Sequence, residues 1–121
     1  MKRALILFAH GAREAAWAEP FETLAARVRA LSPRTAVRLA FLELMEPDLD
    51  GAVAEIVAGG ADTVRIVPIF FGQGGHLRRD LPALIAALRQ KHPRARFECA
   101  PPVGEDDGVL DAIAAYCLRD T

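Results

Sequence analysis

Two histidines, His10 and His76, lie beside glycine; His10 follows an apolar run directly, and His76 ends a glycine-rich segment that follows another. His10 comes directly after Leu5-Ile6-Leu7-Phe8-Ala9, and His76 closes the segment Gly72-Gln73-Gly74-Gly75. Neutral imidazole is a good ligand for cobalt, nickel, iron and zinc, and a pair of imidazoles leaves other positions on the ion open for exchange. If the fold brings them together, these residues predict a site that binds a metal ion and releases it.

The remaining histidine and the cysteines do not extend this site. His92 follows a predicted helix at the opposite end of the fold, so we assign it no ligand role. Cys99 and Cys117 lack C-x-x-C spacing, which argues against an iron–sulfur site or a disulfide scaffold. A permanent structural zinc site is disfavoured because such sites close four ligands rich in cysteine. This cysteine usage is typical of the reducing cytoplasm, where we expect the protein.

Glu43 ends a predicted strand in Phe41-Leu42-Glu43, on the same edge of the sheet as the histidines. A carboxylate there can ligate a metal ion or accept a proton, or it can be a solvated loop acid, and the spacing leaves both interpretations open. For Glu46 and Asp48 we favour a cap on the helix that starts at Leu49.

The glycine-rich segment predicts an anion-binding loop. Glycine lets the backbone turn sharply and approach a ligand closely, and the helix beyond presents amide donors and a partial positive charge. The segment is not a Walker sequence, which argues against nucleotide binding. Loop arginines are usually solvated, but those flanking the histidines can pair with carboxylates. The candidate substrate-binding residues are Gly72, Gly74, Gly75, Arg13 and Arg78, with Arg79 beside them.

Hydrophobic patterning predicts strand and helix alternating four times. Apolar or β-rich runs mark strands over residues 3–9, 36–42, 63–71 and 96–100, and Pro68 marks the end of the third or a kink in it. Helical stripes are Phe21, Leu24, Val28 and Leu31; Leu49, Val53, Ile56 and Val57; Leu77, Leu81, Leu84, Ile85 and Leu88; and Leu110, Ile113, Ala114 and Cys117. Pro82 predicts that the third helix becomes regular near Asp80, which leaves His76 in the loop or a frayed first turn.

This order predicts one α/β domain over residues 1–121: a three-layer αβα sandwich around a four-stranded parallel sheet, with flavodoxin-like strand order 2-1-3-4. In that order strands one and three are neighbours, and ligands bind at their carboxyl ends, where the winding reverses. His10 and His76 should therefore face one crevice.

Composition excludes several other classes of protein. A hydrophobic share of 52% against 26% charged argues against intrinsic disorder. The net charge of -1 offers no field for nucleic acid, and no apolar run approaches the roughly 20 residues that cross a bilayer. The apolar start of the chain is short and lacks a small-residue cleavage site, so we interpret it as a strand and not a signal peptide.

Over nearly its whole length the chain resembles the sirohydrochlorin chelatases, in their short, single-domain form. The motifs that carry the resemblance are Leu7-Phe8-Ala9-His10-Gly11-Ala12-Arg13; Phe41-Leu42-Glu43 with Pro47; Val67-Pro68-Ile69-Phe70-Phe71 leading into Gly75-His76 and Asp80-Leu81-Pro82; and Pro102-Val103-Gly104. The resemblance implies a chelatase-like domain that inserts a divalent metal into sirohydrochlorin without ATP and without an organic cofactor. Co²⁺ is the expected metal, with Ni²⁺ or Fe²⁺ as alternatives.

The resemblance also implies roles for residues. His10 and His76 would bind the incoming metal, and Glu43 would assist in metal handling or in removing pyrrole protons. Short members of the family pair as homodimers around one tetrapyrrole cleft. Ala12 stands where the family usually has a small hydroxyl residue, so we expect no substrate-orienting hydrogen bond from that side chain.

Three other functions use the same features. A carrier would hold metal or tetrapyrrole through these histidines without turnover. A phosphotransfer enzyme with His10 as nucleophile would need an arginine before it, where Ala9 stands. A flavodoxin-like signalling domain would need a cluster of acids at the ends of strands one and three, where the histidines lie instead.

Overall fold

The strands and helices alternate as the sequence predicts. The computed structural model describes residues 2–72 and 74–121, except that of His76 it describes the backbone alone. The strands are β1 (Arg3–Ala9), β2 (Ala36–Phe41), β3 (Thr63–Pro68) and β4 (Arg96–Cys99), and the helices are α1 (Glu19–Leu31), α2 (Leu49–Ala58), α3 (Gly75–Lys91) and α4 (Asp107–Cys117). Two short 3-10 helices, Ala15–Ala18 and Val103–Glu105, were not predicted.

All strand pairs in the sheet are parallel, in the order β2-β1-β3-β4. This confirms the predicted α/β class and the order 2-1-3-4. In the register, Ile6 of β1 lies between Arg38 of β2 and Ile66 of β3. The central pair β1–β3 therefore ends at one edge, which is where the sequence places its candidate site.

The two faces of the sheet are covered unequally. On one face α2 and α3 bury the alternate residues Ile6, Phe8, Val64 and Ile66, each at most 1% exposed. Burying a side chain of this size contributes about 1.5–3 kcal/mol, so this face supplies most of the core. On the other face Leu7 packs against α1, around its buried Ala25.

α4 differs from the other helices because none of its residues is buried. Its one extensive contact within the described residues is with the 3-10 helix Val103–Glu105 just before it. The fourth helix therefore lies where the sequence predicts it, but within the described residues it does not pack on the sheet as a three-layer fold would require.

The start of α3 is a correction to the sequence prediction. The helix begins at Gly75, five residues before Asp80, and Pro82 lies inside it. The first turn is retained because Leu77 is buried against the core together with Leu81, which extends the apolar stripe to the start of the helix. That packing offsets the hydrogen bond that Pro82 cannot donate.

Other boundaries follow local chemistry. Pro68 is the last residue of β3, in agreement with its missing ladder donor. Asp48, and not Glu46, caps α2 by accepting a hydrogen bond from the Gly51 amide at 2.8 Å. Leu31, predicted to lie on the apolar stripe of α1, is the last residue of that helix and is 87% exposed.

Cys99 and Cys117 are both free and exposed. Partial burial raises the pKa of the Cys99 thiol, although the nearby Arg65 and Arg89 act in the opposite direction. Among the helices that the structure describes, none is both long enough and apolar enough to span a membrane.

Candidate functional site

A cavity of about 720 Å³ opens at the carboxyl edge of the sheet. Its polar lining includes His10, which follows β1, Glu43, which follows β2, and Asp80 from the first turns of α3. Its apolar lining includes Leu42, Leu77, Ala83 and Leu84. The fold therefore brings the predicted histidine and carboxylate into one cavity.

The His10 ring rests against a buried aromatic side chain. Its centroid lies 4.5 Å from that of Phe70, at an interplanar angle of 42°, and Phe70 is 7% exposed. Phe70 in turn packs edge-on against Phe8 of the core, at 6.2 Å. This support fixes one face of the imidazole, while His10 itself remains exposed at the cavity.

Backbone contacts join the His10 and Glu43 segments. The Leu42 amide donates to the Ala9 carbonyl at 2.8 Å, and the Glu43 amide donates to the His10 carbonyl at 3.0 Å. Gly11 makes the close approach possible: its φ is +93°, and a Cβ atom there would overlap the carbonyl oxygen of Glu43. The two candidate side chains therefore start from backbones that contact each other directly.

The chain reverses immediately after Glu43. Leu44 adopts a φ of +66° and is 57% exposed, and the Met45 amide donates across it to the Glu43 carbonyl at 2.8 Å. A left-handed conformation costs a non-glycine residue about 1–2 kcal/mol. Such conformations persist where surrounding contacts impose them, and they cluster at functional sites.

The backbone of His76 lies in the first turn of α3, one residue after Gly75. Gly74, the residue before the helix, lines the cavity with His10 and Glu43, so this turn begins at the site. The His76 side chain and Gln73 lie outside the described residues. The convergence of the two imidazoles therefore stays a prediction.

The glycine-rich loop differs from the expected sharp turn. Gly72, Gly74 and Gly75 lack positive φ. If each carried a Cβ atom, the nearest described atom to any of the three would be Arg79 Nη2, 3.9 Å from the Cβ at Gly75. Their conformation does not require glycine, and the described atoms around them leave space for close approach of a ligand. α3 has no side-chain cap in the described structure, so its first amides keep their donor capacity.

The structure places Arg13 and Arg78 on the exposed surface, and neither lines the cavity. Arg79 donates from Nε to the Gly75 carbonyl at 3.2 Å, so it lies along the start of α3. The predicted contacts of Arg13 and Arg78 with a substrate carboxylate stay predictions.

Asp80 lines the cavity, a position that the sequence does not predict. In the sequence Asp80 stands four residues after His76, and this spacing, one helical turn, is the signal that places both residues on the same side of α3. Within the described residues no three histidine, cysteine or acidic side chains cluster closely enough to hold an ion.

Comparisons with known proteins agree on one family. The model of the CbiX family matches residues 4–118. A sirohydrochlorin cobaltochelatase from Sulfolobus acidocaldarius is 32% identical over 109 residues, covering 90% of this chain and 85% of the relative. A sirohydrochlorin ferrochelatase from Bacillus subtilis is 26% identical over 113 residues, which are 93% of this chain but only 43% of the relative.

Solved structures show the same fold. A CbiX protein from Marinobacter aquaeolei VT8 superposes with a TM-score of 0.82 at 35% identity, covering 95% of this chain and 93% of that chain. The sirohydrochlorin chelatase SirB from Bacillus subtilis subspecies spizizenii, in complex with cobalt, gives 0.82 at 26% identity, covering 97% of this chain and 50% of that chain.

Replacing Gly11 with alanine tests the close contact between the two loops. Gly11→Ala should lower the free energy of unfolding by about 1–3 kcal/mol, because φ is positive and the new Cβ would displace the Glu43 carbonyl. Gly72→Ala is the matched control, since a Cβ atom there would meet no described atom within 4 Å apart from its chain neighbours. Urea denaturation of both variants measures the difference, and equal stabilities would contradict the contact.

Proposed function

The chain belongs to the CbiX family, and we propose that it inserts a divalent metal ion into sirohydrochlorin without ATP. The observation that carries this proposal is the cavity at the carboxyl edge, where His10 and Glu43 are joined by a backbone hydrogen bond of 3.0 Å. Relatives named sirohydrochlorin cobaltochelatase and ferrochelatase support the substrate.

Metal insertion makes three demands on a protein: the metal must lose water, the macrocycle must distort, and the pyrrole protons must leave as the metal enters. We assign metal binding to His10 and His76, because imidazoles without a thiolate hold an ion in an exchangeable way. We assign proton removal to Glu43, whose carboxylate lies at the same cavity. Asp80, from α3, is a second acid that lines the cavity.

The cavity also suits the shape and charge of the macrocycle. Leu42, Leu77 and Leu84 offer an apolar wall to the flat ring. The uncapped start of α3 presents amide donors to its peripheral carboxylates, together with Gly72, Gly74 and Gly75 in the loop before and at the helix start. Arg13 and Arg78, at the surface nearby, would pair with further carboxylates.

We propose that the protein acts as a homodimer in the cytoplasm, with two copies enclosing one tetrapyrrole. This chain spans 50% of the SirB chain at a TM-score of 0.82, so one copy corresponds to half of that protein. A cavity of about 720 Å³ that is open to solvent on one subunit would then form part of a shared cleft.

Spectroscopic assay of insertion tests the function and the metal together. Purified protein is incubated anaerobically with sirohydrochlorin and one of Co²⁺, Ni²⁺ or Fe²⁺, and the absorption of the macrocycle is followed. We expect insertion faster than in the protein-free blank, with Co²⁺ the best substrate, as the names of relatives suggest. Binding without acceleration would identify a carrier instead, the alternative function that uses the same histidines.

The two predicted metal ligands should be needed for turnover and dispensable for folding. His10→Ala and His76→Ala should each reduce insertion to the blank rate, while the free energy of unfolding changes little for His10→Ala because that histidine is exposed. His92→Ala is the control: it follows α3 at the opposite end, where its ring lies 6.2 Å from that of Phe97. Wild-type turnover in either of the first two variants would remove the ligand assignment.

Glu43→Gln separates metal binding from proton removal. The amide keeps the size of the side chain but cannot accept a pyrrole proton, so we expect normal metal affinity with insertion slowed by roughly 10²–10⁴-fold. Calorimetric titration with Co²⁺ and the insertion assay measure the two quantities. Glu46→Gln, an exposed acid in the same loop, is the matched control. Unchanged turnover in Glu43→Gln would exclude the base role.

A further inference from the structure

The loop that carries Glu43 is closed at its two ends. It covers residues 42–47, between β2 and α2. The Phe41 amide donates to the Pro47 carbonyl at 2.9 Å, so the backbone that enters the loop is bonded to the backbone that leaves it. A parallel bridge between Phe41 and Asp48 lies beside this closure. The ends of the loop are therefore fixed, and its conformation depends on the residues between them.

A strained turn lies in the middle of this loop. The Met45 amide donates to the Glu43 carbonyl at 2.8 Å, and Leu44 between them has a φ of +66°. A hydrogen bond across a single residue closes a γ-turn, and the form with positive φ is the rare, strained one. Strained conformations persist where surrounding contacts impose them. The turn therefore needs contacts from the side chains of the loop.

Met45 is the side chain that supplies such contacts. Glu43, Leu44 and Glu46 are exposed, whereas Met45 is partly buried and packs against a small apolar cluster. The buried residues of this cluster, which we call the Phe41 cluster, are Ala9, Ala18 and Phe41, and Trp17, Phe21 and Leu39 also pack against it. Through Met45 the loop is therefore attached to the ends of β1 and β2 and to the segment that precedes α1.

The residues before and after the turn face different surroundings. Glu43 lines the site cavity of about 720 Å³ together with His10, and Met45 is not among the described residues of that lining. Met45 borders a second cavity of about 490 Å³ beside α1, together with Ala18 and Phe41. Because this second cavity is open, shortening Met45 would enlarge it and remove support from that side of the loop.

The other side of the Glu43 peptide is already in close contact. A Cβ atom on Gly11 would overlap the Glu43 carbonyl oxygen, so the loop cannot move further toward the segment after β1. The motion left to the loop is away from the Phe41 cluster, and the packing of Met45 opposes that motion. An unbranched thioether side chain suits this task because it adapts to an irregular gap.

We propose that Met45 is a positioning residue for the Glu43 carboxylate. Its packing on the Phe41 cluster holds the turn at Leu44. The turn in turn fixes the Glu43 backbone between two hydrogen bonds, one from its amide to the His10 carbonyl at 3.0 Å and one from the Met45 amide to its own carbonyl. This inference rests on the proposed function, because Glu43 is the group to which that function assigns proton removal.

Kinetics of Met45 variants test the positioning role. Met45→Ala should lower kcat for metal insertion by about 10- to 100-fold, since a misplacement of about 1 Å costs up to about 10²-fold. KM for sirohydrochlorin and Kd for Co²⁺ should change by less than about twofold, because the proposed role gives Met45 no contact with either. Met45→Leu conserves volume and apolar character and should restore kcat to within about threefold of the wild-type value.

Leu24→Ala is the matched control for lost packing. Leu24 is a partly buried residue of α1 that packs against a different cluster, formed by Leu7, Ala25 and Val37. Its truncation should leave kcat unchanged. A similar loss of kcat in Leu24→Ala, or wild-type kcat in Met45→Ala, would overturn the proposal.

A double-mutant cycle shows whether Met45 acts through Glu43. In a Glu43→Gln background, Met45→Ala should cause no further loss of kcat, because the carboxylate that Met45 positions is already absent. A merely structural role would lower kcat by the same factor in both backgrounds, and that result would overturn the proposal.

Amide hydrogen exchange tests the anchoring of the loop independently of turnover. Met45→Ala should speed exchange of the amides at positions 43 and 45 by at least about tenfold, because these amides make the bonds that hold the turn. Leu24→Ala should leave both rates unchanged. Exchange as slow as in the wild type would overturn the proposal. Faster exchange in Met45→Ala, together with a wild-type protein that inserts no metal, would refute the proposed function alone.

Discussion

The site depends on the parallel pairing of β1 with both of its neighbours. Because β1, β2 and β3 run in the same direction and end at one edge, residues from distant parts of the sequence begin their loops side by side. The hydrogen bond from the Glu43 amide to the His10 carbonyl extends this pairing beyond the strands. Gly11 permits it, since any side chain there would occupy the space of the Glu43 carbonyl.

The His10 ring is packed against the core on one side and faces an open cavity on the other. Behind the His10 ring lie Phe70 and Phe8, which belong to the buried core, so the imidazole is positioned by packing. In front of it the cavity is open, and Leu44 and Phe71 expose more than half of their side chains beside the loops that form it. A protein that hands a metal ion to a large flat substrate needs both properties.

The two faces of the sheet are buried to different extents. Val64 and Ile66 face a complete layer of helices, while Val67 on the same strand faces a layer that α1 only half fills. In the described structure α4 does not fill this layer, and the 3-10 helix before it packs against the backbone of Phe71.

The sequence predicts the alternating elements and the strand order because both follow from hydrophobic period and the chain order of parallel crossovers. It predicts Asp48 as a cap and His10 and Glu43 as neighbours at one edge, and the structure agrees. It does not predict that α3 runs through Pro82, because that depends on tertiary burial of Leu77. For the same reason the sequence does not predict that Asp80 lines the cavity, since this depends on where α3 begins.

Long-range packing also explains the remaining differences. The glycines at 72, 74 and 75 look in sequence like turn glycines, but the conformational requirement falls on Gly11, where contact with Glu43 decides it. The outward position of α4 has no signal in its own pattern, which is that of an ordinary amphipathic helix. It follows from the contact of Gly104 with the end of β3.

The central claim, that two imidazoles from distant segments bind one ion at the edge of the sheet, is tested most directly by anomalous diffraction at the cobalt edge from crystals loaded with Co²⁺. The account predicts one strong peak per subunit at the cavity, about 2.1 Å from a ring nitrogen of His10 and at a similar distance from one of His76. A peak bound elsewhere, or one that contacts neither ring, would contradict it.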